Sequence, residues 1–187
     1  YDDRFFVSGA HFTRLAEMLR SGELRARSFE PGEPQRLVDV SPAGGRYDWE
    51  TDTLVLGDGP DVMLVHEATH ALQDHWLLDD DALVVEALAY VTEWVYLIYD
   101  YADDAHGREH AADYYAEALS KRTDNASRLH LAAVECIRQT GLVYSSHHVA
   151  LTRAHVQAVA DRAGYLGAYI YHRGRSMAFD GIVGCPR

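Results

Sequence analysis

His66, Glu67 and His70 are the residues of this chain whose types and spacing could do chemistry, within Val65-His66-Glu67-Ala68-Thr69-His70-Ala71-Leu72. On a helix, positions i and i+4 lie one turn apart on the same face, so both imidazoles can offer a nitrogen to one metal ion. Zinc is the ion this pattern suits. Glu67, beside the first histidine, can reach a water on that zinc and take its proton, the general-base role in metal-assisted hydrolysis. The alternative is a pair of core histidines hydrogen-bonded to their neighbours.

The chain holds 11 histidines, so the bare pattern needs support from its surroundings. Asp58-Gly59-Pro60-Asp61 supplies a helix start, with a cap candidate, a proline and an early acid. From Val62 to Leu72 the other residues are nearly all apolar or small. A helix apolar nearly all round is a buried one. Histidines buried there need partners, and a metal is a natural partner.

A third ligand must come from elsewhere. One zinc-protease pattern continues with glycine three residues and histidine six residues after the second histidine; Gln73 and Trp76 stand there and exclude it. His75 lies about 140° around the helix from His70 and cannot close the same site. After Trp76, Leu77-Leu78-Asp79-Asp80-Asp81 can cap a second helix that starts at Ala82 and runs to about Asp100, making an antiparallel helical hairpin. His70, six residues before Trp76, and Glu86, six after Asp80, both stand about 9 Å from the turn. Glu93, about 20 Å from the turn, is expected to overshoot both histidines. Glu86 is therefore the favoured third ligand, with Glu93 as runner-up or as a partner standing behind a ligand. A glutamate is more often a solvated helix-face acid, but Val84, Val85, Ala87, Leu88 and Ala89 around Glu86 argue against solvent.

Taken together, His66-Glu67-Ala68-Thr69-His70-Ala71-Leu72-Gln73-Asp74 and Glu86-Ala87-Leu88-Ala89-Tyr90 resemble the small bacterial zincin-type metallopeptidase domains of the gluzincin-like group. Closest are domains that read His-Glu-x-Thr-His-x-x-Gln-Asp and then Glu-x-x-Ala. The resemblance covers about residues 52–95. It implies one zinc held by His66, His70 and Glu86, a catalytic water, and Glu67 as base and proton shuttle. The 15 residues between His70 and Glu86 are fewer than gluzincins commonly have, so the resemblance carries a reaction class and no substrate specificity.

Composition agrees with a folded hydrolase. At 187 residues and 48% hydrophobic the chain reads as one globular domain with a substantial core. A net charge of −12 speaks against nucleic acid and anionic membranes as partners. No apolar run approaches the roughly 20 residues of a spanning helix, and no signal peptide opens the chain. The sequence starts at Tyr1 without an initiator methionine, so a tag, a signal or a longer N-terminal part is expected to have been removed; bacterial cytoplasm and an exported effector are the two settings considered. Cys136 and Cys185 read as unpaired thiols.

The remaining elements must position the motif. Residues 11–21 have helical period, with Gly22 as stop; residues 28–50 read as loops and short strands; Leu37-Val38-Asp39-Val40 and Thr53-Leu54-Val55-Leu56 read as two strands, plausibly paired. A strand edge beside the motif helix could hold an extended peptide, or the sheet could merely cover the core. Residues 108–120, 126–139 and 147–162 read as helices, with Gly141 and Gly164 as stops. Residues 165–175 offer Tyr169, Tyr171 and His172 as groups that could stabilise charge on an attacked carbonyl oxygen, although aromatic packing is the commoner role. The expected fold is mainly α, formally α+β: a zincin-like active-site helix, a helical hairpin and a small β-sheet. The expected function is hydrolysis of a peptide or protein substrate by a zinc metallopeptidase. The alternatives are a zinc hydrolase for a small-molecule amide or ester, a toxin or effector module of a longer protein, and a binding domain with a structural zinc.

Overall fold

The long apolar-periodic stretches of the chain fold as helices. The computed structural model describes residues 4–5, 9–30, 45–57, 61–75, 82–123, 125–141, 151–152, 158–159, 169–172 and 175–178. Along the chain these form β1 (Arg4–Phe5), α1 (Gly9–Ser21), β2 (Arg25–Ser28), β3 (Arg46–Asp48), β4 (Thr53–Leu56), α2 (Asp61–His75), α3 (Ala82–Tyr101), α4 (Ala105–Ser120), α5 (Asn125–Thr140), β5 (Leu151–Thr152), β6 (Tyr169–His172) and β7 (Arg175–Ala178). The architecture is mainly helical α+β with a small three-stranded sheet. Gly22 and Gly141 end α1 and α5 in the left-handed region, at φ 79° and 71°, the role their positions after an amphipathic stretch suggest. Asp104 caps α4, its Oδ1 accepting from the Gly107 N–H at 2.8 Å.

Two apolar clusters form the core. One joins α3, α4 and α5 through Leu88, Val91, Ile98, Ala112, Ala116, Leu129 and Ile137. The other joins α1, β4 and α2 through Leu15, Met18, Leu54, Ala68, Ala71 and Leu72. Helices α2 and α3 pack against each other, so the seam between them is where the two clusters meet. No helix among the described residues is long and apolar enough to cross a membrane.

The central strand of the sheet is β4, with Thr53, Leu54 and Val55 all buried. It pairs in parallel with β2 (Arg25 opposite Thr53) and antiparallel with β3 (Tyr47 opposite Leu54). The expected strand at residues 37–40 lies outside the described residues; β2 and β3 are the partners seen. β2, Arg-Ala-Arg-Ser, is exposed along its length, so no apolar alternation marks it in the sequence.

The helix expected over residues 147–162 needs correction. Leu151–Thr152 is a strand, antiparallel to β1, with Phe5 opposite Leu151. A short apolar run fits either periodicity, and here a partner from the start of the chain decides. Residues 158–159 are helical, and the other residues of that range lie outside the described part. β6 and β7 form an antiparallel pair beside α3.

Candidate metal centre

The site grows out of the α2–α3 seam. His66 and Glu67 are buried on α2, His70 is half-buried one turn on, and Glu86 and Glu93 face them from α3. His66 Nε2 and His70 Nε2 stand 3.2 Å apart. The Glu86 carboxylate straddles them, Oε2 at 3.5 Å from His66 Nε2 and Oε1 at 3.5 Å from His70 Nε2. These three residues form a group that could hold a metal ion.

Partners behind the rings set their tautomers. His66 Nδ1 is 3.0 Å from Glu93 Oε2, and His70 Nδ1 is 2.9 Å from Gln73 Oε1. Gln73 Nε2 in turn donates to the Val85 carbonyl at 2.8 Å, which fixes which end of the amide faces His70. Both Nδ1 atoms therefore donate, and in the neutral rings both Nε2 lone pairs point at the shared centre. Two lone pairs and a carboxylate converging there demand a cation. In the absence of a metal a proton fills that need: burial opposes charge on His66, but the Glu86 and Glu93 carboxylates outweigh it and hold the imidazole well above its ordinary pKa. Burial alone would raise the Glu86 carboxyl, yet His70 and His66 bring it down to about 2.

No protein-family model, curated protein or solved structure matches the chain at a significant level. The chemistry of the site must be read from its own residues.

Glu67 is held separately from the three converging groups. Burial, and the nearby charge of Glu86, raise its carboxyl above the ordinary range; His66, His70 and a main-chain N–H from Tyr47 pull the other way. The Tyr47 hydroxyl lies 2.9 Å from both Asp52 Oδ1 and Asp74 Oδ2, and burial with these two acids keeps its proton on far beyond the ordinary range. Tyr90 on α3 packs its ring edge-on against His66 at 4.6 Å between centroids. His130 on α5 meets Tyr90 edge-to-face and accepts at Nδ1 from the Trp94 indole N–H, 2.9 Å away. A wall of aromatic rings thus backs His66.

The structure brings His66, Glu67, His70 and Glu86 together. Glu93 does not overshoot: it misses His70 but reaches His66, which lies about 15 Å back from the turn, one helical turn further than His70. His75 is directed elsewhere, with Nε2 3.4 Å from Asp52 Oδ1. Tyr169, Tyr171 and His172 lie in β6 beside α3, and their side chains are outside the described part. Cys136 is buried on α5, and Cys185 lies outside the described residues. Gln73 could have been placed from sequence, since i and i+3 on one helix bring it to His70. Tyr47 could not, because it reaches the site through the sheet.

Proposed function

We propose that the chain is a zinc metallopeptidase, with His66, His70 and Glu86 as ligands and Glu67 as general base. The observation that carries this reading is the convergence of two imidazole Nε2 atoms and a carboxylate within 3.2 to 3.5 Å, with a separate buried carboxylate next in sequence. Donors about 2.0–2.2 Å from a tetrahedral ion stand roughly 3.3–3.6 Å apart; the two nitrogens, at 3.2 Å, are close to that, and each carboxylate oxygen lies 3.5 Å from one of them. Two nitrogens and one oxygen, with no fourth ligand in the group among the described residues, is the donor set of a catalytic rather than a structural site. The peptide as substrate rests on the resemblance of the motif and its following glutamate to gluzincin-like domains.

When bound, zinc supplies Lewis acidity, polarising a carbonyl and lowering the pKa of water towards neutrality. Glu67 takes the proton of the attacking water and passes it to the leaving amine nitrogen. Its burial, which makes the protonated carboxyl less unfavourable than in water, suits a group that must carry a proton between two steps. Glu93 and Gln73 keep both Nε2 lone pairs aimed at the ion.

Glu67→Gln keeps the shape and removes the base. Peptide hydrolysis, followed by mass spectrometry on a mixed peptide pool, is expected to fall about 10²- to 10⁴-fold while metal content stays at one ion per chain. Full activity in that variant would exclude the mechanism.

A further inference from the structure

Among the described residues β3 is an edge strand of the sheet, and it runs against α2. Tyr47 ties them. Its main-chain N–H faces the Glu67 carboxylate, and its hydroxyl lies 2.9 Å from Asp74 Oδ2 on α2 and 2.9 Å from Asp52 Oδ1. Glu67 and Asp74 are seven residues apart, two turns along one face of α2, so backbone and side chain of Tyr47 span that face. Gly45 lies on the stem of the same glutamate. A Cβ there would stand 2.8 Å from Glu67 Cγ, 3.6 Å from Glu67 Cδ and 3.2 Å from the Val55 carbonyl oxygen. The carbonyl belongs to the central strand and cannot retreat far, so the Glu67 side chain must.

We infer that Gly45 and Tyr47 are positioning residues for Glu67: Gly45 leaves room for its stem, and Tyr47, anchored on Asp74, aims a main-chain N–H at its carboxylate. The catalytic consequence rests on the proposed role of Glu67 as base; the packing does not. A base acts only from within hydrogen-bond reach of the proton it takes, and a rotamer locked on two sides stays there. The same N–H is one that the outer edge of β3, unpaired among the described residues, could otherwise have offered to an extended ligand. While Glu67 holds it, main-chain recognition on β3 lacks that donor.

A double-mutant cycle tests the packing without reference to activity. Gly45→Ala is expected to lower stability to urea in the wild-type background, and most of that loss is expected to vanish in a Glu67→Ala background. Equal losses in both backgrounds would overturn the inference. Should Gly45→Ala fail to fold, amide hydrogen exchange decides. The Tyr47 amide is expected to exchange at least about tenfold faster in Glu67→Ala than in wild type, with the Leu24 amide, bonded to the Met18 carbonyl, unchanged as reference. An unchanged Tyr47 rate would overturn it. In turnover, Tyr47→Phe is expected to lower kcat about tenfold at constant KM and metal content; an unaltered kcat removes the anchoring role of the hydroxyl. If the wild type proves inactive on peptides, the proposed function falls, while the cycle and the exchange rates still judge the placement of Glu67.

Discussion

At the scale of single residues, the two histidines are held alike in geometry and unlike in charge. Behind His66 stands a carboxylate, and behind His70 a neutral amide that is itself tied to the Val85 carbonyl. Glu93 thus adds negative charge as well as orientation. Glu93→Gln can keep an acceptor on His66 Nδ1 and loses the charge; Glu93→Ala loses both. Metal affinity, measured by competition with a chromogenic chelator, is expected to fall about tenfold in the first and about a hundredfold in the second. Equal affinity in all three proteins would make the carboxylate a bystander. Protons report on the same environment. Because His66 is held above its ordinary pKa of about 6.5, it carries a proton in the metal-free chain between that value and the raised one. Metal must expel this proton, so affinity is expected to drop about tenfold per pH unit on acidification within that window. Calorimetric titration in buffers of different protonation enthalpy checks it: about one proton released per ion is the expected result, and none would contradict it.

At the scale of elements, the site is a property of the α2–α3 hairpin. An i,i+4 pair on one helix offers two of the proposed ligands, and the returning helix offers the third at the same height. Replacing Glu86 by Ala is expected to lower the metal bound at equal free metal, whereas loss of Glu93 weakens binding without removing a ligand. Retained stoichiometry and affinity in Glu86→Ala, by atomic absorption after dialysis, would return the third position to Glu93. This part of the architecture was legible in the sequence because it depends on rise per residue and on caps, both local rules. The height of His70 alone does not decide which histidine Glu93 reaches. His66 lies one turn further from the link, and the length of the Glu93 side chain closes the remaining distance. Tyr47 and Gly45 followed no such rule. They approach Glu67 because β3 pairs with β4, and pairing is settled by contacts between segments far apart in sequence. For the same reason Arg25–Ser28 and Leu151–Thr152 escaped pattern reading: the first is exposed at every position, and the second is defined by its partner β1.

For the whole molecule, the consequence is a coupling between metal and fold. The ion proposed here would be shared by α2, which belongs to the cluster of Leu15 and Leu54, and α3, which belongs to the cluster of Leu88 and Ile137. Without it, Glu67, Glu86 and Glu93 remain together at the seam of a chain that already carries a net charge of −12. Protonation of His66 then replaces part of the missing charge, with a definite pH signature. A folded-state pKa raised above the unfolded value gives stability that is present below about 6.5 and lost as pH rises through the raised pKa. Glu86, held down to about 2, gives stability present above about 4.3 and lost as pH falls towards 2. The chelated protein is therefore expected to weaken on both sides of a plateau. Metal supplies the positive charge independently of pH, so in the loaded protein the alkaline loss should disappear. An ion at a thousand times its dissociation constant stabilises by about 4 kcal/mol, enough to shift the unfolding midpoint by several degrees. Thermal unfolding of wild type and Glu86→Ala, each with chelator and with zinc across that pH range, distinguishes the contributions. Zinc should raise the wild-type midpoint most on the alkaline side and raise that of Glu86→Ala little. A midpoint indifferent to zinc at every pH would mean that the seam is held by protons and packing alone.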